Sequence, residues 1–154
     1  PSIEGKGVFS MVYLRSQFDL CTGCTACQLA CAARAVEGYN PRLARLKVLV
    51  EGENFLDRPV VCSQCENAFC LRSCPVEAIS RNPDTGVVLI DKEVCTGCKA
   101  CIEACPDGMI QLDGQGKADK CDLCGGDPLC VRYCVAGALK LVAPVAKEEV
   151  DPGV

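Results

Sequence analysis

Histidine and tryptophan are absent from this 154-residue chain, and aromatic residues make up only 5% of it. Without histidine there is no mixed cysteine/histidine zinc site. With so few large side chains an ordinary core for this length is missing, so something else must fill part of the interior. No run approaches the ~20 continuous apolar residues of a membrane span, and no secretory signal is legible at Pro1–Ser10. Positive charge is also scarce, with 16 Lys and Arg against 20 Asp and Glu and a net charge of −4. Nucleic-acid binding, which needs a basic stripe, is therefore not expected. One basic stretch does occur, at Arg34, Arg42, Arg45 and Lys47. It reads as solvated charge on a strand and its loop, the alternative being a docking patch for an acidic partner.

What the chain has instead is cysteine, 16 residues in four blocks of four. They are Cys21, Cys24, Cys27 and Cys31; Cys62, Cys65, Cys70 and Cys74; Cys95, Cys98, Cys101 and Cys105; and Cys121, Cys124, Cys130 and Cys134. Each block repeats one grammar: two cysteines three apart, a third soon after, and a fourth four residues beyond the third. Disulfide frameworks link distant loops and give no reason for such local regularity. All-cysteine zinc sites usually join two C-x2-C knuckles across a long gap, which is not the arrangement here. The run C-x2-C-x2-C-x3-C-P is the ligand pattern of cubane iron–sulfur clusters, so four blocks imply four [4Fe–4S] clusters. Each oxidised cubane with four thiolates carries about −2, taking the loaded chain to roughly −12. Metal-binding free energy is also folding free energy, and the apo chain is expected to be largely unfolded. Free cysteines in this number fit a reducing, cytoplasmic setting.

Blocks two and three form one unit. Between them Asn82–Gly86 is a turn signal, flanked by the short apolar strands Ala78–Ile79 and Val87–Ile90, so a hairpin is expected. Cysteine block, hairpin, cysteine block resembles a bacterial two-cluster ferredoxin, and the likeness covers about Pro59 to Leu112. In such ferredoxins the fourth cysteine of each block ligates the other cluster. The resemblance thus implies one set of Cys62, Cys65, Cys70 and Cys105, and another of Cys95, Cys98, Cys101 and Cys74. The third and fourth cysteines bracket a short helical turn whose ends face different clusters, and Pro75 or Pro106 stops that turn. Blocks one and four have Ala32 and Val135 where that proline would stand. Val135–Val142 still reads as a turn entering a strand. By the same exchange the two blocks make a second pair, with Cys21, Cys24, Cys27 and Cys134 in one set and Cys121, Cys124, Cys130 and Cys31 in the other.

The expected fold class is therefore α+β, two nested bacterial-ferredoxin-like units of short strands and helices around four clusters. Residues 1–58 and 113–142 form the outer unit, 59–112 the inner unit and 143–154 a C-terminal extension, read as a loose tail or a docking strand. The rival is serial, block one with two and block three with four; the hairpin favours nesting. Alternation over Arg42–Val50 reads as a strand that runs beside an N-terminal strand, Val8–Tyr13.

The four-block order, with Asn40-Pro-Arg-Leu-Ala-Arg-Leu-Lys-Val48, Cys62-Ser-Gln-Cys65 and Lys120-Cys-Asp-Leu-Cys124, resembles the four-cluster electron-transfer subunits of molybdenum and tungsten pterin oxidoreductases. The chain's compactness is most similar to the small iron–sulfur subunit of bacterial tungsten aldehyde oxidoreductase. That resemblance implies a relay of single electrons between a pterin-bearing catalytic subunit and a flavin or NAD-linked subunit. Its rivals are the iron–sulfur subunits of hydrogenase, formate dehydrogenase or carbon monoxide dehydrogenase systems, a free polyferredoxin, and a structural metal protein without redox work. Clusters near both ends also allow copies to stack. No side chain is expected to act as acid, base or nucleophile, since the cofactor carries the chemistry. Gly23, Gly97 and Gly125 let backbone amides approach sulfur or simply make tight turns. Lys99 and Lys120, beside ligands, either raise local potentials or are solvated.

Overall fold

The cysteine blocks leave little chain between them, so every element is short. The computed structural model describes residues 11–35, 38–51 and 56–143. In order these form β1 (Tyr13–Ser16), α1 (Ala26–Ala35), β2 (Lys47–Glu51), β3 (Leu56–Val60), α2 (Phe69–Ser73), β4 (Ile79–Arg81), β5 (Val88–Ile90), α3 (Ala100–Ala104), β6 (Gln111–Leu112), β7 (Ala118–Asp119), α4 (Leu129–Arg132) and β8 (Leu139–Val142). The class is α+β, as the sequence reading expects.

The strands pair as antiparallel ribbons, β1 with β8, β2 with β3, β4 with β5 and β6 with β7. The expected hairpin is β4–β5, in register from Ile79↔Ile90 to Arg81↔Val88. Its turn closes because the Asn82 carboxamide oxygen accepts from the amides of Asp84 (2.9 Å) and Thr85 (3.1 Å), an Asx turn. The β1–β8 ribbon joins the two ends of the chain, from Tyr13↔Val142 to Ser16↔Leu139. The β6–β7 ribbon pairs Gln111↔Asp119 and Leu112↔Ala118.

One pairing differs from expectation. β2 runs beside β3, with Lys47↔Val60 through Glu51↔Leu56, and not beside an N-terminal strand. Pro59 argues against a strand over Leu56–Val60 in the sequence, yet a two-stranded ribbon has only edges, where proline is tolerated. The N-terminal strand itself is β1, which starts where the expected strand ends and takes β8 as its partner; Val8–Ser10 lie outside the described residues. So does the expected extension from Pro144 onward.

In blocks two and three the helix stops at the fourth cysteine because proline follows it. Cys74 and Cys105 cap α2 and α3 in extended conformation (φ −77°, ψ 113° and φ −78°, ψ 112°), because a residue before proline is pushed out of the helical region. Cys31 precedes Ala32, and α1 runs on past it to Ala35, ten residues in all; α4 ends at Arg132 although Val135, not proline, follows its block. After blocks two, three and four the backbone turns left-handed at Glu77 (φ 53°), Gly108 (φ 61°) and Gly137 (φ 65°) before the chain extends again. The interior has two apolar groups. One gathers Leu14, Leu46, Val61, Val87, Leu123 and Leu139 around Cys27, Cys31 and Cys130. The other gathers Ala68, Ile79, Val88, Ile110 and Ala118 around Cys95 and Cys101. α1 packs on α4, and α2 on α3. Among the described residues no helix is long and apolar enough to cross a membrane.

Candidate metal centres

Each block opens with the same backbone device. The second residue after the first cysteine is left-handed in all four: Gly23 (φ 68°), Gln64 (φ 49°), Gly97 (φ 73°) and Leu123 (φ 55°). This bend wraps the loop around a space into which its cysteines face. A Cβ at Gly97 would run into the carbonyl oxygen of Gly116, whereas one at Gly23 would meet the Asp57 carboxylate. Gln64 and Leu123 adopt the conformation without glycine, at a cost of about 1–2 kcal/mol each, and both are 1% exposed. Neither was a site candidate on sequence alone. The signal was available, since both occupy the place that glycine holds in blocks one and three. Gly125 is also left-handed (φ 71°), with open space beside it.

The sixteen cysteines line four cavities. One is lined by Cys21, Cys24, Cys27 and Cys134, within about 310 Å³ of space. A second, about 400 Å³, is lined by Cys31, Cys121, Cys124 and Cys130, with Cys62 also on its wall. A third of about 400 Å³ brings together Cys62, Cys65, Cys70 and Cys105. The fourth, about 300 Å³, brings together Cys74, Cys95, Cys98 and Cys101. These volumes include solvent at each mouth. All sixteen thiols are free. Among the described residues no three Cys, Asp or Glu side chains close on one point tightly enough for a single ion; the thiols are spread around spaces suited to a larger group. Cys24 in the first cavity and Cys98 in the fourth are the exposed cysteines, while none in the second and third is exposed.

The surroundings of the sulfurs fit negatively charged clusters. Backbone amides point at sulfur from Arg45 to Cys31 (3.2 Å), Ala78 to Cys74 (3.3 Å), Met109 to Cys105 (3.4 Å) and Ala118 to Cys95 (3.4 Å). Such bonds stabilise thiolate and raise cluster potential. Burial pushes the Cys27 thiol up to about 11, with neighbouring Cys134 adding to it. Burial likewise pushes Cys121 and Cys130 up to about 12, neighbouring thiols reinforcing the rise. As free thiols these groups are therefore protonated at neutral pH, and metal binding must displace the protons.

Three cations contribute. Arg45 forks onto Asp119 (2.7 and 2.9 Å) and also reaches Asp122 (2.9 Å). Asp119 takes Lys92 as well (2.9 Å). The basic stretch is thus not one solvated face: Arg45 turns inward and ties the chain after block one to block four, while Arg34, Arg42 and Lys47 stay exposed. Lys120 differs from the solvated reading too, being 5% exposed. Burial raises the Cys70 and Cys121 thiols, and the charge of Lys120 opposes that rise at both. Lys99 is exposed and left-handed (φ 67°) at the start of α3.

Cysteine-lined cavities with amides aimed at sulfur, held by short strands and helices, define an iron–sulfur protein. The chain belongs to the 4Fe-4S dicluster domain family, whose model matches residues 54–143; a 4Fe-4S binding domain matches residues 18–34. Its cysteines fit four [4Fe–4S] clusters, and the fold is a small α+β ferredoxin-like one. It is 38% identical to the polyferredoxin-like subunit of aliphatic sulfonate oxidoreductase from Pyrococcus furiosus, over 80% of this chain and 73% of that protein. It is 37% identical to the thiosulfate reductase electron transfer subunit PhsB of Salmonella typhi, over 78% and 69% respectively. It also matches the putative oxidoreductase AegA of Escherichia coli at 35% identity, over 87% of this chain but only 22% of that longer protein. Among solved structures, the active-site complex BamBC of benzoyl coenzyme A reductase with benzoyl-CoA shares the fold, with TM-score 0.51 and 23% identity over 86% of this chain and 80% of that one. The chain is an electron-transfer iron–sulfur protein without a catalytic site of its own.

Proposed function

We propose that the chain relays single electrons between a tungsten or molybdenum pterin catalytic subunit and a flavin, NAD-linked or other redox partner. When bound, the clusters supply one-electron redox chemistry. The chain's residues supply order and insulation. The observation that carries the reading is the series of cavities. The α1–α4 contact joins the first cavity to the second, Cys62 stands on the walls of the second and third, and the α2–α3 contact joins the third to the fourth. Only the terminal cavities have an exposed cysteine, Cys24 or Cys98, which suits partners at both ends.

The four groupings are proposed as the ligand sets: Cys21, Cys24, Cys27 and Cys134; Cys31, Cys121, Cys124 and Cys130; Cys62, Cys65, Cys70 and Cys105; Cys74, Cys95, Cys98 and Cys101. The nested division, 1–58 with 113–142 around 59–112, is supported by the β1–β8 and β4–β5 ribbons. A cytoplasmic location is proposed from the free thiols. For the catalytic partner, the sequence resemblance favours a tungsten aldehyde oxidoreductase, while the relatives among aliphatic sulfonate oxidoreductase and thiosulfate reductase subunits favour an oxidoreductase of sulfur compounds. Purification of the native complex tests the proposal. Stoichiometric tungsten or molybdenum in a co-purifying larger subunit is the expected result. A lone chain carrying full iron and no partner would mean a free polyferredoxin instead.

A further inference from the structure

Between the second and third cavities lies a cation with no anion of its own. Lys120 lines the third cavity and precedes Cys121, which lines the second. Its ammonium donates to the carbonyl oxygens of Val88 (2.6 Å) and Cys121 (3.1 Å) and to the Gln64 carboxamide oxygen (3.3 Å). All three acceptors are neutral. Among the described residues no carboxylate pairs with Lys120: its neighbour Asp119 is taken by Arg45 and Lys92, and Asp122 by Arg45.

Gln64 is as closely bound. Its Nε2 donates to the Cys121 carbonyl (2.9 Å), and its Oε1 accepts from the Val88 amide (2.9 Å) as well as from Lys120. It belongs to block two and reaches block four, so these hydrogen bonds hold its side chain where the two blocks meet.

A buried ammonium that loses its water and meets only neutral dipoles is costly unless opposite charge lies nearby. The chain offers such charge on both sides once clusters of about −2 each are bound in the flanking cavities. We propose that Lys120 is a cation shared by the two central cluster sites, raising their reduction potentials above those they would otherwise have, with Gln64 as the positioning residue that fixes it. The inference rests on the ligand sets proposed above. Reduction adds one negative charge to a site, and a nearby positive charge stabilises that state more than the oxidised one. The terminal sites, farther from the ammonium, feel it less. Electrons on the relay would accordingly dwell at its buried middle rather than at its exposed ends.

The test is a potentiometric titration of the loaded chain followed by electron paramagnetic resonance, with Lys120→Met, Lys120→Gln and Lys120→Arg compared against wild type. The wild type must first show four one-electron steps; if it does not, the four-cluster reading fails, whatever Lys120 does. Given those steps, Lys120→Met should lower two of the four midpoints, cutting the reduced-to-oxidised ratio at fixed potential about tenfold, or about 59 mV for a one-electron couple. Lys120→Arg should restore them. Unchanged midpoints, an equal shift of all four, or an Arg variant that behaves like Met would overturn the inference. If Met disrupts loading, Lys120→Gln and Lys120→Arg decide by iron content: loading by Arg but not by Gln supports the cation, and failure of both overturns it.

Discussion

At the scale of the residue, the fourth cysteine of each block is the most informative position. Cys134 follows α4 in sequence but faces the cavity of Cys21, Cys24 and Cys27. Replacing Cys134 with Ala should therefore remove the cluster of block one and leave that of block four, taking about a quarter of the iron. Loss of the block-four cluster, assigned by spectroscopy against a Cys124→Ala control, would contradict the exchanged ligand sets. Gly97 makes a second residue-scale case. Its φ is 73°, and an added Cβ meets backbone, the Gly116 carbonyl, rather than a movable side chain as at Gly23. Gly97→Ala should thus cost more stability than Gly23→Ala, by about 1 kcal/mol or more beyond the shared left-handed strain. Thermal loss of visible cluster absorbance would rank the two, and equal midpoints would argue against the backbone clash.

At the scale of the element, one residue of the segment after α1 ties that helix to the block-four region, its side chain reaching block four and its amide reaching back to α1. The Arg45 guanidinium grips Asp119 and Asp122 while its amide donates to Cys31 sulfur. Burial works against ionisation of Asp122, but Arg45 and the Cys124 amide outweigh it and hold its carboxyl below the ordinary range. Asp119 is 5% exposed at its side chain, so Asp119→Asn takes the more buried of its two carboxylates from Arg45, leaving Asp122, and removes one of the two that hold Lys92. Because each cation keeps one carboxylate, we expect a loss of about 1–3 kcal/mol, read from the denaturant midpoint of the loaded chain. A change of a few tenths would mean the ion pair is a surface contact. This fork was not legible in sequence, where Arg45 looked like one member of a basic stretch; what turns it inward is a carboxylate 74 positions away. The β4–β5 hairpin was legible because its turn chemistry is local, at Asn82 and Gly86. β3 was not, because Pro59 hides a strand that survives only as half of a ribbon. β8 was visible as a strand, whereas β1 shares only Tyr13 with the expected Val8–Tyr13 strand; their partnership depends on two chain ends meeting, which local alternation does not encode.

At the scale of the whole molecule, thiols occupy much of what aromatic side chains would fill elsewhere. Cys27, Cys31, Cys62, Cys95, Cys101 and Cys130 are buried and contribute little apolar area once no cluster bridges them. Removal of iron should leave a chain that is largely unfolded by circular dichroism; a retained native spectrum with a sharp melt would count against metal-dependent folding. Any residual apo structure should be favoured below pH 9 and lost as pH rises toward 11–12. Cys27, Cys121 and Cys130 have thiol pKa values raised above the ordinary 9.0, so the folded state binds more protons than the unfolded one across that window.

Four clusters in one continuous series within the chain would be magnetically coupled neighbours. Dithionite reduction of the loaded protein, followed by electron paramagnetic resonance with spin counting, tests it most directly. The expected result is bleaching of the visible absorbance, up to four spins per chain, and a broadened signal from clusters that sense their neighbours. An unbleached protein, or sharp independent signals from isolated clusters, would contradict it.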